Sequence, residues 1–145
     1  MIYDDIFFMK KALIEANNAF HKNEVPIGAI ITHNNIIIAK SHNLIETFNN
    51  VTAHAEIEVI KIASNKLGLK YLKGCTLYVT LEPCIMCAGA LYWSKISKIV
   101  FGAFDYKRGF SKMKIKLHPQ TIHKSGIMSK ESIILLQQFF KKKRI

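Results

Sequence analysis

Apolar positions along this chain recur with two periods, and the switch between them divides it into elements. Ile6, Met9, Leu13, Ala16 and Phe20 repeat at helical spacing and predict a first amphipathic helix. Val25 to Thr32 and Ile36 to Ser41 read as strands around an Asn34-Asn35 turn. Ile57, Ile60, Ala63 and Leu67 return to helical spacing, with Thr52 as the expected N-cap. The run Cys75-Thr76-Leu77-Tyr78-Val79-Thr80-Leu81 alternates as a strand does, and a buried strand position is the ordinary reading of Cys75. Pro83 suits the first position of a helix reaching about Trp93; Lys98 to Gly102 is a short strand. Ser129 is expected to cap a last helix in which Ile133, Leu136 and Phe140 share a face, and apolar residues on such stripes are core by default. Strands alternating with helices predict an α/β fold with a mixed sheet covered on both faces.

Chemistry concentrates at two of these helix starts. His54-Ala55-Glu56 is followed by Pro83-Cys84-Ile85-Met86-Cys87. His54, Cys84 and Cys87 offer three metal ligands, the number that catalytic zinc takes while leaving a fourth position for water. The spacing of Cys84 and Cys87 puts both thiols on one helix face, and a helix N-terminus favours the thiolate. Glu56 reads as a proton carrier, since a carboxylate beside an activated water can take its proton and pass it to a leaving group. Two other readings of the cysteines remain open on the residues alone. They could be a thiol redox pair, or half of a closed structural zinc site completed by Cys75 and one of His21, His33, His42, His118 or His123. Either would leave the placement of Glu56 two residues after His54 without a purpose.

The pattern H-x-E…P-C-x-x-C is the signature of zinc-dependent nucleobase deaminases. The surrounding words Glu24-Val25-Pro26-Ile27-Gly28-Ala29, Thr76 to Cys84, Met86-Cys87-Ala88-Gly89-Ala90 and Val100-Phe101-Gly102-Ala103 resemble the bacterial tRNA-specific adenosine deaminases of the TadA type. The resemblance runs from about Met9 to Phe140 and is strongest between Thr52 and Gly102. It implies the cytidine deaminase-like three-layer fold, with a central five-stranded mixed sheet and helices on both faces. It also implies one Zn2+ per chain and hydrolysis of the wobble adenosine of a tRNA anticodon loop to inosine, by zinc-activated hydroxide with Glu56 as proton shuttle. By the same resemblance Asn43 hydrogen-bonds the target nucleoside, the backbone at Ala55 and around Pro83-Cys84 lines the pocket floor, and Asp105 and Lys107 lie near the anticodon loop. Homodimers that build each RNA site from both subunits are implied too. Without the resemblance, Asn43 reads as a turn residue after a strand and Asp105 as a loop acid. The sequence departs from the family after Ala103: Phe104 stands where arginine is common, and Gly109 to Lys114 replaces a stretch of small residues.

Charge supplies an independent argument for a polynucleotide. The chain of 145 residues carries a net charge of +11. Residues 1–94 contain 8 Lys, no Arg and 8 acids, so the whole excess lies in residues 95–145, where 13 basic residues face only Asp105 and Glu131. Lys107, Arg108, Lys112, Lys114 and Lys116, then Lys141, Lys142, Lys143 and Arg144, alternate with Phe104, Tyr106, Phe110, Phe139 and Phe140. Single-stranded RNA asks for cations against phosphates and flat faces against splayed bases, so Arg108, Phe139, Phe140 and the terminal basic run are the expected RNA contacts. A solvated charged face is the plainer alternative, weakened by the neutrality of the first 94 residues.

The length suits a single domain spanning 1–145, ending in a basic helix. No apolar run is long enough to span a bilayer, the residues after Met1 show no cleavable signal pattern, and three cysteines suit a reducing cytosol, so a cytoplasmic protein without membrane partners is expected. Two rival functions share parts of this pattern. One is a deaminase of free guanine or cytosine, which has the same zinc ligands but no use for a basic tail; the other is a non-catalytic, zinc-stabilised RNA-binding module.

Overall fold

The computed structural model describes residues 2–143, so Arg144, expected to contact RNA, lies outside the described residues. Five strands form one sheet in the order β2-β1-β3-β4-β5: β1 Gly28–His33, β2 Ile36–His42, β3 Cys75–Leu81, β4 Lys98–Ala103 and β5 Ile122–Lys124. β1 is antiparallel to β2 and to β3, whereas β3, β4 and β5 run parallel. The sheet is therefore mixed, as expected. The Asn34-Asn35 turn forms, and both residues take positive φ (52° and 62°), the left-handed pair that a tight hairpin following the strand twist requires.

Alternation along the strands sorts their side chains into two cores. Ile30, Tyr78 and Val100 face the first helix, α1 (Asp5–His21), and pack with Phe8, Met9 and Ala12. Ala29, Ile31, Leu77, Val79, Ile99 and Phe101 face the other way. They meet Ala55, Val59 and Ala63 of α3 (Ala55–Leu67) and Ala88 and Leu91 of α4 (Ile85–Ser94). The last helix, α5 (Ser129–Lys143), joins α1 on the first face against β3 and β4. Helices thus cover both faces, giving three layers. α1 sits so close to the sheet that a Cβ on Gly28 would lie 2.0 Å from the Ala12 carbonyl oxygen, which excludes every larger residue there.

Several boundaries differ from the sequence reading, each for a physical reason. α1 buries Phe8, Met9, Ala12, Glu15, Ala16 and Ala19; Ile6 lies on the exposed side, because the helix carries apolar residues all round and its small residues permit the closest approach. α3 is capped at His54, two residues after Thr52, whose hydroxyl and N–H both donate to Asn50 Oδ1 instead. α4 is capped at Cys84, so Pro83 precedes the helix. Ser129 is the first helical residue of α5. Ile133 and Phe140 do not lie in the core: with Leu136 they line an open groove, while Ser132 and Phe139 make the buried contact. β5 and the single-turn helix α2 (Ile45–Phe48) had no predicted counterpart at their positions. Among the described residues, no helix is long and apolar enough to cross a membrane.

Candidate active site

Because β2, β3 and β4 all run in one direction, their C-terminal ends share one edge of the sheet, and the chain after each end turns into the same space. Ligand sites in open α/β sheets form outside such strand ends. Here Asn43 follows β2, Glu82 and Cys84 follow β3, and Phe104 to Arg108 follow β4. Together with Val25 and Ile27 before β1, His54 and Glu56 at the start of α3, and Leu136 and Phe140 of α5, they line a cavity of about 650 Å³.

At its floor, two helix N-termini converge. His54 and Cys84 are the N-caps of α3 and α4, and neither side chain caps its own helix. N-cap side chains usually accept from the first helical N–H groups. These two turn away instead, toward each other and toward Cys87. His54 Nδ1 lies 3.6 Å from Cys84 Sγ and 3.5 Å from Cys87 Sγ. Zinc bonds of about 2.3 Å to sulfur and 2.1 Å to nitrogen, at a tetrahedral angle, set ligands about 3.6 Å apart. The three donor atoms all lie within 4.8 Å of one another, so the trio can hold a metal ion, and its soft donor set and spacing fit zinc. Cys75 is far from it on β3, buried against His33, which removes the closed four-ligand arrangement.

Without metal, the members of the trio shift one another's titration in opposite directions. A hydrogen bond from the Cys87 thiol, helped by His54, holds Cys84 down to about 4 against the opposing effect of burial. The same hydrogen bond and burial push Cys87 up, and Cys84 raises His54. A divalent cation held by both sulfurs as thiolates displaces the thiol proton. Glu56, in the first turn of α3, is buried beside the trio; burial pushes its carboxyl up to about 7, with its own backbone N–H and His54 opposing. A carboxyl poised near neutrality can both accept and return a proton.

That shift has a measurable consequence for protein stripped of metal. Below the ordinary carboxyl value of 4.5, Glu56 is protonated whether the chain is folded or unfolded. As pH rises toward about 7 the unfolded chain releases this proton and the folded one keeps it, so the contribution of Glu56 to stability is lost over that window. Relative to Glu56→Gln, metal-free protein should lose about 3 kcal/mol between pH 4.5 and 7.5 in denaturant titrations. A difference that grows with pH in the opposite sense would contradict the burial of this carboxyl.

The chain also matches known proteins. A model of the MafB19-like deaminase family matches residues 3–144. A protein of Aquifex aeolicus, named tRNA-specific adenosine deaminase, is 48% identical over 95% of both chains. The chain belongs to the MafB19-like deaminase family. Among solved structures, one from a study of A-to-I editing by tRNA:A34 deaminases at the wobble position covers 90% of this chain and 99% of its own, at 42% identity and a TM-score of 0.81. A guanine deaminase from Bacillus subtilis covers 77% and 69%, at 32% identity and a TM-score of 0.68. The fold is thus the cytidine deaminase-like one.

Within this deaminase fold the remaining candidates separate. Asn43 is buried, with its Oδ1 accepting from Ile45 N–H at 3.3 Å, and lines the cavity. Ala55 is buried at the first position of α3, and the Pro83 carbonyl accepts from Phe110 N–H. Asp105 shapes its own loop: Oδ1 accepts from the N–H groups of Lys107 and Arg108, which brings both exposed cations to the cavity rim. Phe139 is 5% exposed and packs edge-on against Phe20, so the expectation that it stacks on a base is corrected; Phe140, 43% exposed, lines the cavity. Lys141 lines the neighbouring groove, while Lys142 and Lys143 lie over the rings of Phe20 and Phe139.

Two buried carboxylates escaped the sequence reading. Glu24 accepts from the N–H groups of Glu46 and Thr47 and from the Thr47 hydroxyl, which fixes α2 beside Asn43. Glu82 does the same for the loop after β4. Their signal was an acid inside an otherwise apolar word, Glu24-Val25-Pro26 and Leu81-Glu82-Pro83, where a charge needs a hydrogen-bonded reason to be buried.

Proposed function

We propose that the protein is a zinc-dependent adenosine deaminase that converts the wobble adenosine of a tRNA anticodon loop to inosine. The observation carrying this reading is a single cavity with a three-ligand metal group and a buried glutamate at its floor, and loop cations with an exposed aromatic at its rim. The activities named for the Aquifex relative and for the wobble-editing structure support the adenosine and the tRNA.

His54, Cys84 and Cys87 would hold zinc. When bound there, zinc lowers the pKa of a water to about 7 and so makes a nucleophile available at neutral pH. Glu56 would take one proton from the attacking water as its oxygen bonds to C6 and pass it to the adenine ring nitrogen; the second proton of that oxygen would follow through Glu56 to the exocyclic amine, which leaves C6 as ammonia. Water and adenosine thus give inosine and ammonia, and Glu56 ends in the state in which it began. Asn43 offers its amide to the nucleoside, and the backbone at Ala55 and around Pro83-Cys84 forms the floor under the base. Phe140 offers a ring for a flanking base, and Lys107, Arg108 and Lys141 face phosphates; base stacking of this kind contributes about 1–3 kcal/mol per base.

A second copy is part of the reading. Ile85, Tyr92 and Trp93 leave exposed apolar surface on α4, the helix whose start carries Cys84 and Cys87, and Trp93 is 75% exposed. A homodimer burying this face would bring a second chain close to each site. The site of action follows from the substrate: the cytoplasm, where tRNA is decoded.

The guanine deaminase similarity keeps a free-base activity as the rival. Ammonia release from purified, zinc-loaded protein decides between them on a panel of unmodified tRNA, guanine and cytosine. We expect release from tRNA alone, whereas turnover of a free base without turnover of tRNA would overturn the proposal.

A further inference from the structure

The loop that carries the rim cations is held by a residue outside the metal trio. Glu82 stands between β3 and Cys84, 3% exposed, and its carboxylate is hydrogen-bonded to the loop after β4. Oε1 accepts from Asp105 N–H at 3.0 Å, and Oε2 accepts from the N–H and the hydroxyl of Ser111 at 2.9 and 2.5 Å. The two ends of segment 105–111 therefore converge on one carboxylate.

The backbone completes the clasp. Glu82 N–H donates to Ala103 O, Phe110 N–H donates to Pro83 O, and Gly109 forms a β-bridge with Cys84. Gly109 permits the approach, because a Cβ there would lie 2.1 Å from Glu82 Oε1. Inside the clasp the chain has little freedom: Asp105 caps the turn, and Lys107 and Arg108 are presented outward at the cavity rim.

We propose that Glu82 is a positioning residue that fixes the Lys107-Arg108 turn over the catalytic cavity, tying recognition of the RNA backbone to the loop that carries Cys84. The inference rests on the reading of the site as an RNA deaminase. A carboxylate is needed because all the captured groups are donors. A carboxamide keeps one acceptor oxygen and turns its NH2 toward a backbone N–H, whichever way it is flipped. The part-buried N–H left facing an NH2 group then loses its hold on the turn.

Glu82→Gln tests this with zinc-loaded protein and an anticodon stem-loop as the probe. KM should rise about tenfold with kcat changed less than about twofold, since the variant removes positioning of bound RNA and leaves the reacting groups in place. The slope of log affinity against log salt should fall by about 1 to 2, the phosphate contacts of Lys107 and Arg108. Zinc content should stay at one per chain. Ser111→Ala, which removes only the hydroxyl donor, should move KM and the slope in the same direction by less, and it carries the test should Glu82→Gln not fold. An unchanged KM and salt slope in a folded variant, or a loss of zinc that accounts for the loss of activity, would overturn the proposal. If native protein forms no inosine, the deaminase reading itself fails, and that is seen before any variant is compared.

Discussion

Glu56→Gln is expected to keep its zinc and lose turnover of tRNA by about 10,000-fold, the upper range for removing a group that works as both general base and general acid. The amide fills the same buried volume beside His54, Cys84 and Cys87, none of which it replaces, so metal content measured by atomic absorption should remain at one per chain. RNA affinity should also remain within about twofold of the native value, because the lost interaction is made in the transition state. Full activity in this variant would remove the shuttle role, and lost zinc would make Glu56 a ligand.

Cys87→Ala is expected to have the second largest effect, and of a different kind. Cys87 is wholly buried, and the trio has no fourth protein ligand among the described residues to replace it. The variant should lose zinc together with activity. At zinc concentrations near 1,000 times the native dissociation constant, the stabilisation forfeited is about 4 kcal/mol. For a chain of this size that lowers the melting temperature by roughly 10 °C. Treating native protein with a chelator should reproduce both effects, and zinc should reverse them only in the native protein. A Cys87→Ala protein that keeps stoichiometric zinc and its melting temperature would show that the metal sits elsewhere.

The metal trio and β3 were legible in the sequence because each is written in local spacing. Cys75 to Leu81 alternates over its whole length, and two short motifs fix His54, Cys84 and Cys87 at neighbouring helix starts. Positions that depend on distant partners were not legible. The buried face of α1 is chosen by how near small residues let it approach β1, and its sequence is apolar on several sides. Phe139 and Phe140 are adjacent and chemically identical; only the docking of α5 against Phe20 decides which is buried and which is open. β5 is three exposed residues paired to β4 by backbone alone, which leaves no side-chain pattern to read. Glu24 and Glu82 gather donors from residues more than twenty positions away, so their role exists only in the folded chain.

Deamination of one adenosine, presented by an RNA loop, is the reaction proposed for this cavity. Its most direct test is to incubate zinc-loaded protein with a tRNA carrying adenosine at the wobble position and to sequence the product for inosine. Conversion at that position, absent at the other adenosines and abolished by Glu56→Gln, is the predicted result. A tRNA recovered with its wobble adenosine intact, under conditions in which the same protein releases ammonia from free guanine or cytosine, would contradict it.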